Sequence, residues 1–134
     1  MNYSLQRFSE TRDAYPGNVP ALRRAVVAFA EVQGATPMAL WSIGQAIGEA
    51  LNNIVIHAYR DELAPGSMTV DAHREPAHLA VAVIDEGRGF EPRTDSPGLG
   101  LGMPVIASLA ATLSVAAHTS NRPGTIVLMG FALS

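Results

Sequence analysis

Apolar residues recur along this chain with two different periods, and the places where the period changes divide it into elements. From Pro20, the spacing of Leu22, Val26, Phe29 and Ala30 predicts a helix closed near Gly34, with Arg23 and Arg24 on its outer side. Thr36 and Pro37 then supply an N-cap and a first helical residue, and a long helix is expected from there to about Tyr59. Along it Ile43, Ile47, Leu51, Ile54 and Ala58 fall within about 80° of one another at roughly 100° per residue, which makes them its core face. Residues 67–73 and 78–85 read as two strands joined by the connection Arg74-Glu75-Pro76-Ala77. In the second of these Leu79, Val81 and Val83 alternate with Ala80, Ala82 and Ile84, so both faces are apolar and the strand should be central. A glycine-rich stretch over 86–102 predicts a loop leading into a helix that starts near Met103, with Pro104 tolerated in its first turn, and ends near Ala111. A hairpin over 113–118 and 125–133 closes the chain, and residues 2–9 read as an edge strand.

That order of elements predicts an α/β (α+β) two-layer sandwich, a mostly antiparallel mixed sheet with helices on one face. The length of 134 residues and the 48% hydrophobic content suit a single domain over 1–134. The two-sided apolar strands predict a covered second sheet face, with a homodimer partner as one candidate cover. A net charge of -3, with the basic residues scattered, gives no footprint for nucleic acid, and no apolar run approaches the ~18 residues of a membrane span. A soluble, cytoplasmic protein is expected. Cysteine is absent, which excludes thiolate chemistry and cysteine-bound zinc. Lysine is absent too, which excludes a P-loop or a protein-kinase-type catalytic lysine, so any polyphosphate must be held by arginine, backbone N–H groups or a metal.

Candidate chemistry begins with Glu49, Asn53 and His57, which on an α-helix fall on one flank beside the core face. An acid able to take a proton and an amide able to ligate a hard cation, about one turn apart, are the minimum parts for phosphoryl transfer. The alternatives are plain: a solvated helix charge for Glu49, and a helix-terminal or packing histidine for His57. Asp85 ends a hydrophobic strand, where an unpaired carboxylate is costly, and a backbone N–H of the following glycine turn would suffice as its donor. Gly87 and Gly89 permit close backbone approach and positive φ, or simply a hairpin loop. Thr125 reads equally well as an ordinary strand residue, and Trp41, Tyr59 and Phe90 as packing groups.

The chain carries Glu49-x-x-x-Asn53 with His57-Ala58-Tyr59, then Asp85-x-Gly87-x-Gly89, then Gly98-x-Gly100-x-Gly102, with Gly124-Thr125 in the last hairpin. In that order these motifs resemble the Bergerat-type ATP-binding fold of the GHKL superfamily, and specifically its anti-sigma factor serine/threonine kinases. The resemblance implies that Glu49 accepts the proton of a protein hydroxyl, that Asn53 ligates Mg2+ and that Asp85 takes the exocyclic amine of adenine. It further implies that Gly98, Gly100, Leu101 and Gly102 cradle the phosphates of ATP, and that His57 and Thr125 belong to the nucleotide site. The implied partners are a sigma factor and an anti-sigma factor antagonist of the STAS type. Residues 90–97 would form a lid, short for this family, with Arg88, Arg93 and Arg122 as the arginines nearby. A rival reading is a non-catalytic, ATP-dependent binding module of the same fold. A second rival, the catalytic domain of a histidine kinase, normally follows a helix pair that has no room here.

Overall fold

The computed structural model describes residues 6–60, 62–87, 102–117 and 124–134. Among them the elements run β1 (Arg7–Asp13), α1 (Asn18–Val32), α2 (Pro37–Asn53), a π-helical turn (Ile54–Ala58), β2 (Ser67–Glu75), β3 (His78–Asp85), α3 (Gly102–Leu109), β4 (Thr112–Ala117) and β5 (Thr125–Ala132). The strands form one sheet in the order β1-β2-β3-β5-β4. All its pairings are antiparallel, so the sheet is not mixed. β3 takes the central place that its two apolar faces predict.

Local chemistry accounts for the helix ends. Thr36 Oγ1 accepts the Ala39 N–H at 3.2 Å and Pro37 opens α2, while the Thr36 N–H donates to the Leu133 carbonyl at 2.9 Å and ties that end of the helix to the last strand. Beyond α1, Gly34 at φ 91 allows Ala35 N–H to reach back to the Ala30 carbonyl. Between β2 and β3 the chain reverses through Pro76 and Ala77, and Ala77 sits at φ 64, a left-handed conformation in a non-glycine residue.

The core lies between the helices and one face of the sheet. Leu22, Val26 and Ala30 of α1 meet Ile43, Ile47 and Leu51 of α2, with Ile54 and Ala58 continuing that face through the π turn. Beneath them lie Met68 and Val70 of β2, Leu79, Val81 and Val83 of β3, and Val127, Met129 and Phe131 of β5. Ile106 of α3 is fully buried beside them. Strand alternation leaves the other face divided. Its β1–β2 half is polar, where Thr11 and Thr69 hydroxyls meet at 2.8 Å and the Ser9 hydroxyl donates to Asp71. Its β3–β5 half carries Ala80, Ala82, Ile84 and Leu128, the last 45% exposed.

Two expectations are corrected. The first strand is Arg7–Asp13 rather than 2–9, because its pairing with β2 runs from Arg7↔His73 to Asp13↔Ser67 and extends past the aromatic positions; residues 2–5 lie outside the described residues. The long helix does not stay α to Tyr59 but widens to π after Asn53. Arg23 and Arg24 are exposed, as expected, and the Arg23 side chain also lies along α2 over Gly44 and Gly48, where an added Cβ would stand 3.4–3.5 Å from Val27 and from the Arg23 side chain itself.

Candidate nucleotide site

The site is assembled where α2 ends over the strand ends of the central sheet. Glu49 and Asn53 both lie within α2, half-buried, one turn apart on the flank of the core face. The π turn follows at once, and its wider i→i+5 pattern advances the chain less per residue around the axis, so His57 falls short of the flank that a continuous α-helix would give it. There His57 Nδ1 lies 2.8 Å from Arg60 Nη2, a local contact at the helix end.

Asn53 Nδ2 is buried and meets no hydrogen-bond partner among the described residues. A buried amide group left unpaired costs on the order of 1–3 kcal/mol. Because a half-turn of the amide exchanges its nitrogen and oxygen, the same position can present an oxygen to a hard cation. The residue type, the burial and the orphaned atom together fit a ligand supplied from outside the chain.

Asp85 closes β3 with the parity of Leu79, Val81 and Val83, so its side chain faces the helix layer and is only 7% exposed. Thr125, which opens β5 directly opposite Asp85 in the ladder, has the same parity and is 8% exposed. The register thus brings together two polar residues 40 positions apart in the chain, on the helix-facing side of the sheet. Of the donors weighed for Asp85, the protein supplies the backbone one: Gly87 N–H donates to Asp85 Oδ1 at 2.9 Å.

Gly87 has a role that sequence reasoning missed. A Cβ there would stand 2.1 Å from the carbonyl oxygen and 2.6 Å from the carbonyl carbon of Ala58, so the glycine lets the turn after β3 lie directly on the end of the π turn. Its φ is not in the left-handed region, which among the described glycines holds only Gly34 and Gly124, so sterics alone demand glycine at this position. Tyr59 was missed as well. Its hydroxyl donates to the Ser67 carbonyl at 2.5 Å and accepts the Glu86 N–H at 2.9 Å, and its ring lies where a Cβ on Gly66 would approach to 2.4 Å. Burial, followed by the nearby charges of Asp85 and Glu86, raises the Tyr59 pKa above 10.0, against the lowering effect of the Glu86 N–H and of the Ser67 side chain. The signal available in the sequence was the tyrosine's place two residues after His57, at the end of the polar stripe.

Gly102 begins α3, and Pro104 falls in its first turn as expected. Gly89, Gly98, Gly100 and Leu101, the 90–97 segment, and Arg88, Arg93 and Arg122 lie outside the described residues. No group of three or more metal-ligating His, Cys, Asp or Glu side chains occurs among the described residues. No described helix is long and apolar enough to cross a membrane.

Comparison with known proteins bears on the family and the fold. The model of the histidine kinase-like ATPase domain matches residues 13–131. An anti-sigma F factor of Caldanaerobacter subterraneus subsp. tengcongensis is 30% identical over 118 residues, covering 80% of each chain. An anti-sigma F factor of Clostridium acetobutylicum is 28% identical over 122 residues, covering 83% of this chain and 84% of that one. Among solved structures, the RsbU and RsbW domains of a Mycobacterium tuberculosis protein superpose with a TM-score of 0.73 at 21% identity, over 95% of this chain but only 32% of that longer one. The histidine kinase domain of a blue-light activated histidine kinase from Erythrobacter litoralis superposes with a TM-score of 0.59 at 22% identity, over 86% of this chain and 61% of that one.

Proposed function

The chain belongs to the histidine kinase-like ATPase family, and we propose that within it this protein is an anti-sigma factor kinase. In this reading one domain, residues 1–134, binds Mg-ATP between α2 and segment 98–102, holds a sigma factor from its polymerase, and phosphorylates a serine or threonine on a small STAS-type antagonist. The single observation that carries the nucleotide half is the buried Asn53 Nδ2, without a hydrogen-bond partner among the described residues, one turn from Glu49, on a helix whose end is clamped onto the turn after Asp85. The regulatory half is supported by the relatives named anti-sigma F factor, at 28–30% identity over four-fifths of the chain. A second copy of the chain is the proposed cover for the apolar β3–β5 half of the sheet.

Each residue then has a chemical task. Asp85, oriented through Oδ1 by Gly87, accepts the hydrogen bond of adenine's exocyclic amine, with the Thr125 hydroxyl beside it. The backbone at Gly87 and Gly89 borders the base. N–H groups at Gly98, Gly100, Leu101 and Gly102, ending at the N-terminus of α3, receive the phosphates. Asn53 is the protein ligand for the metal, while His57, turned toward Arg60 by the π turn, is left out of the pocket. Magnesium, when bound, would offset the negative charge of the β- and γ-phosphates. Glu49 takes the proton of the acceptor hydroxyl as its oxygen bonds to the γ-phosphorus and the bond to the ADP oxygen breaks.

Transfer of labelled phosphate from ATP to a STAS-type antagonist, compared for the wild type and Glu49→Ala, tests this reading. The substitution should reduce transfer by about 10²–10⁴-fold, the usual contribution of a general base, with ATP still bound. Transfer that survives the substitution removes Glu49 from the mechanism. A wild type that binds Mg-ATP and a sigma factor but transfers nothing would make the protein a non-catalytic binding module, the reading that the short 90–97 segment favours.

A further inference from the structure

The hydroxyl of Tyr59 joins three separate parts of the chain. It gives its proton to the carbonyl of Ser67, where β2 begins, and takes the N–H of Glu86, just past the end of β3, while the ring itself continues from the π turn. The two bonds have opposite polarity, so the position needs a group that donates and accepts at one atom, on a ring long enough to reach. The ring cannot slide away on one side because Gly66 lies against it, closer than any side chain would permit. The amides next to this contact are consecutive. Tyr59 holds the N–H of Glu86, and the following N–H, of Gly87, holds Oδ1 of Asp85. Rotation of either peptide about the Glu86 Cα would move the donor that orients the carboxylate. Gly87 is in turn seated on the Ala58 carbonyl, the residue before Tyr59, so the turn after β3 is fixed to the end of the π turn at two adjacent points.

We propose that Tyr59 is a positioning residue for base recognition: its hydroxyl fixes the Glu86–Gly87 backbone so that the Asp85 carboxylate is held at one orientation toward the exocyclic amine of an adenine nucleotide. This rests on the adenine-binding reading of Asp85 given above. Tyr59 touches neither the transferred phosphoryl group nor the acceptor in this scheme. Its loss should therefore weaken and blur base recognition while leaving the transfer step, which depends on Glu49, intact. A residue that merely stabilised the fold would lower binding of all nucleotides alike.

The experiment uses the full chain, with Tyr59→Phe keeping the ring and removing only the hydroxyl. Calorimetry in the presence of magnesium is run with ATP and with inosine triphosphate, which carries a carbonyl in place of the exocyclic amine, and amide hydrogen exchange at Glu86 is followed in parallel. The expected result is an ATP Kd raised about tenfold, of the order lost with one well-made hydrogen bond. Inosine triphosphate binding should be unchanged, so that discrimination between the two falls, with faster Glu86 exchange and a retained transfer rate at saturating ATP. Unchanged ATP affinity and discrimination despite faster Glu86 exchange would overturn the proposal, as would equal losses for both nucleotides or a lower transfer rate with unchanged Kd. A wild type that binds neither nucleotide would instead overturn the nucleotide-binding reading on which the proposal stands.

Discussion

Adding a single methyl group at Gly87 tests whether the turn after β3 is truly seated on the π turn. The new Cβ would lie 2.1 Å from the Ala58 oxygen, 2.6 Å from the Ala58 carbonyl carbon and 2.8 Å from the Ala58 Cβ. Carbon atoms in contact prefer roughly 3.5–4.0 Å, so the two backbones must part by about 1 Å, and neither can yield as the end of a flexible side chain would. Forcing a methyl group into a packed contact costs about 1–3 kcal/mol. The same movement pulls on Gly87 N–H to Asp85 Oδ1 and on Glu86 N–H to Tyr59, each contributing roughly 1 kcal/mol. Against this, alanine narrows the unfolded ensemble and returns about 0.4–1 kcal/mol. The net expectation for Gly87→Ala is a loss of about 2–4 kcal/mol. Urea denaturation, with midpoint and slope both recorded, reads that loss as a lower midpoint at an unchanged slope. A Gly87→Ala protein within about 0.5 kcal/mol of wild type would refute the reasoning, because it would mean that the two backbones were never in contact.

Two further predictions come from single side chains. The raised Tyr59 pKa has a definite consequence for stability: below pH 10 the tyrosine is neutral in both folded and unfolded chains and its contribution is complete. As pH climbs past 10 the unfolded tyrosine ionises first, so stability should fall until the folded value is passed, and Tyr59→Phe should remove this component from urea midpoints measured across that range. Asn53→Ala removes a half-buried amide whose buried Nδ2 has no partner among the described residues, so the nucleotide-free protein should be no more than about 1 kcal/mol less stable, or slightly more stable, while magnesium-dependent nucleotide binding is lost. A loss of stability much above that, without nucleotide, would show the amide to be a structural group.

Much of the frame is legible because it is written in local periods. The residues Ile43, Ile47, Leu51, Ile54 and Ala58 are all buried, as their spacing requires, and a β-strand with two apolar faces could only be placed centrally, as β3 is. Thr36 and Pro37 announce the start of α2 because capping is a property of three or four adjacent residues. The polar pair Glu49 and Asn53 is legible for the same reason, since both remain on regular α-helix. β1 was displaced in the reading because an edge strand of alternating polar residues, Ser9, Glu10, Thr11 and Arg12, has little hydrophobic signal and takes its register from β2. The contact of Arg23 with α2 was not legible because it depends on glycines at 44 and 48, which no pattern on α1 reveals.

What could not be read lies where regular structure stops, and that is also where the candidate site lies. Nothing local marks the change from α to π after Asn53; the run Ile54-Val55-Ile56 is as apolar as the helix before it. The change is matched to a contact far away in sequence, the Ala58 carbonyl against Gly87, and to the Tyr59 hydroxyl reaching residues 8 and 27 positions onward. A π turn is a common device at functional sites, and here its effect is geometric: it ends the stripe at Asn53, turns His57 aside to Arg60, and delivers Tyr59 to the strand ends. The glycine of the Asp85-x-Gly87 motif therefore has a physical reason independent of any ligand, since only glycine allows the turn to rest on the helix end. Motif and fold are linked through that contact. The residues that would recognise a base and those that would hold a metal are kept in one frame by backbone packing and one tyrosine hydroxyl, before any nucleotide arrives.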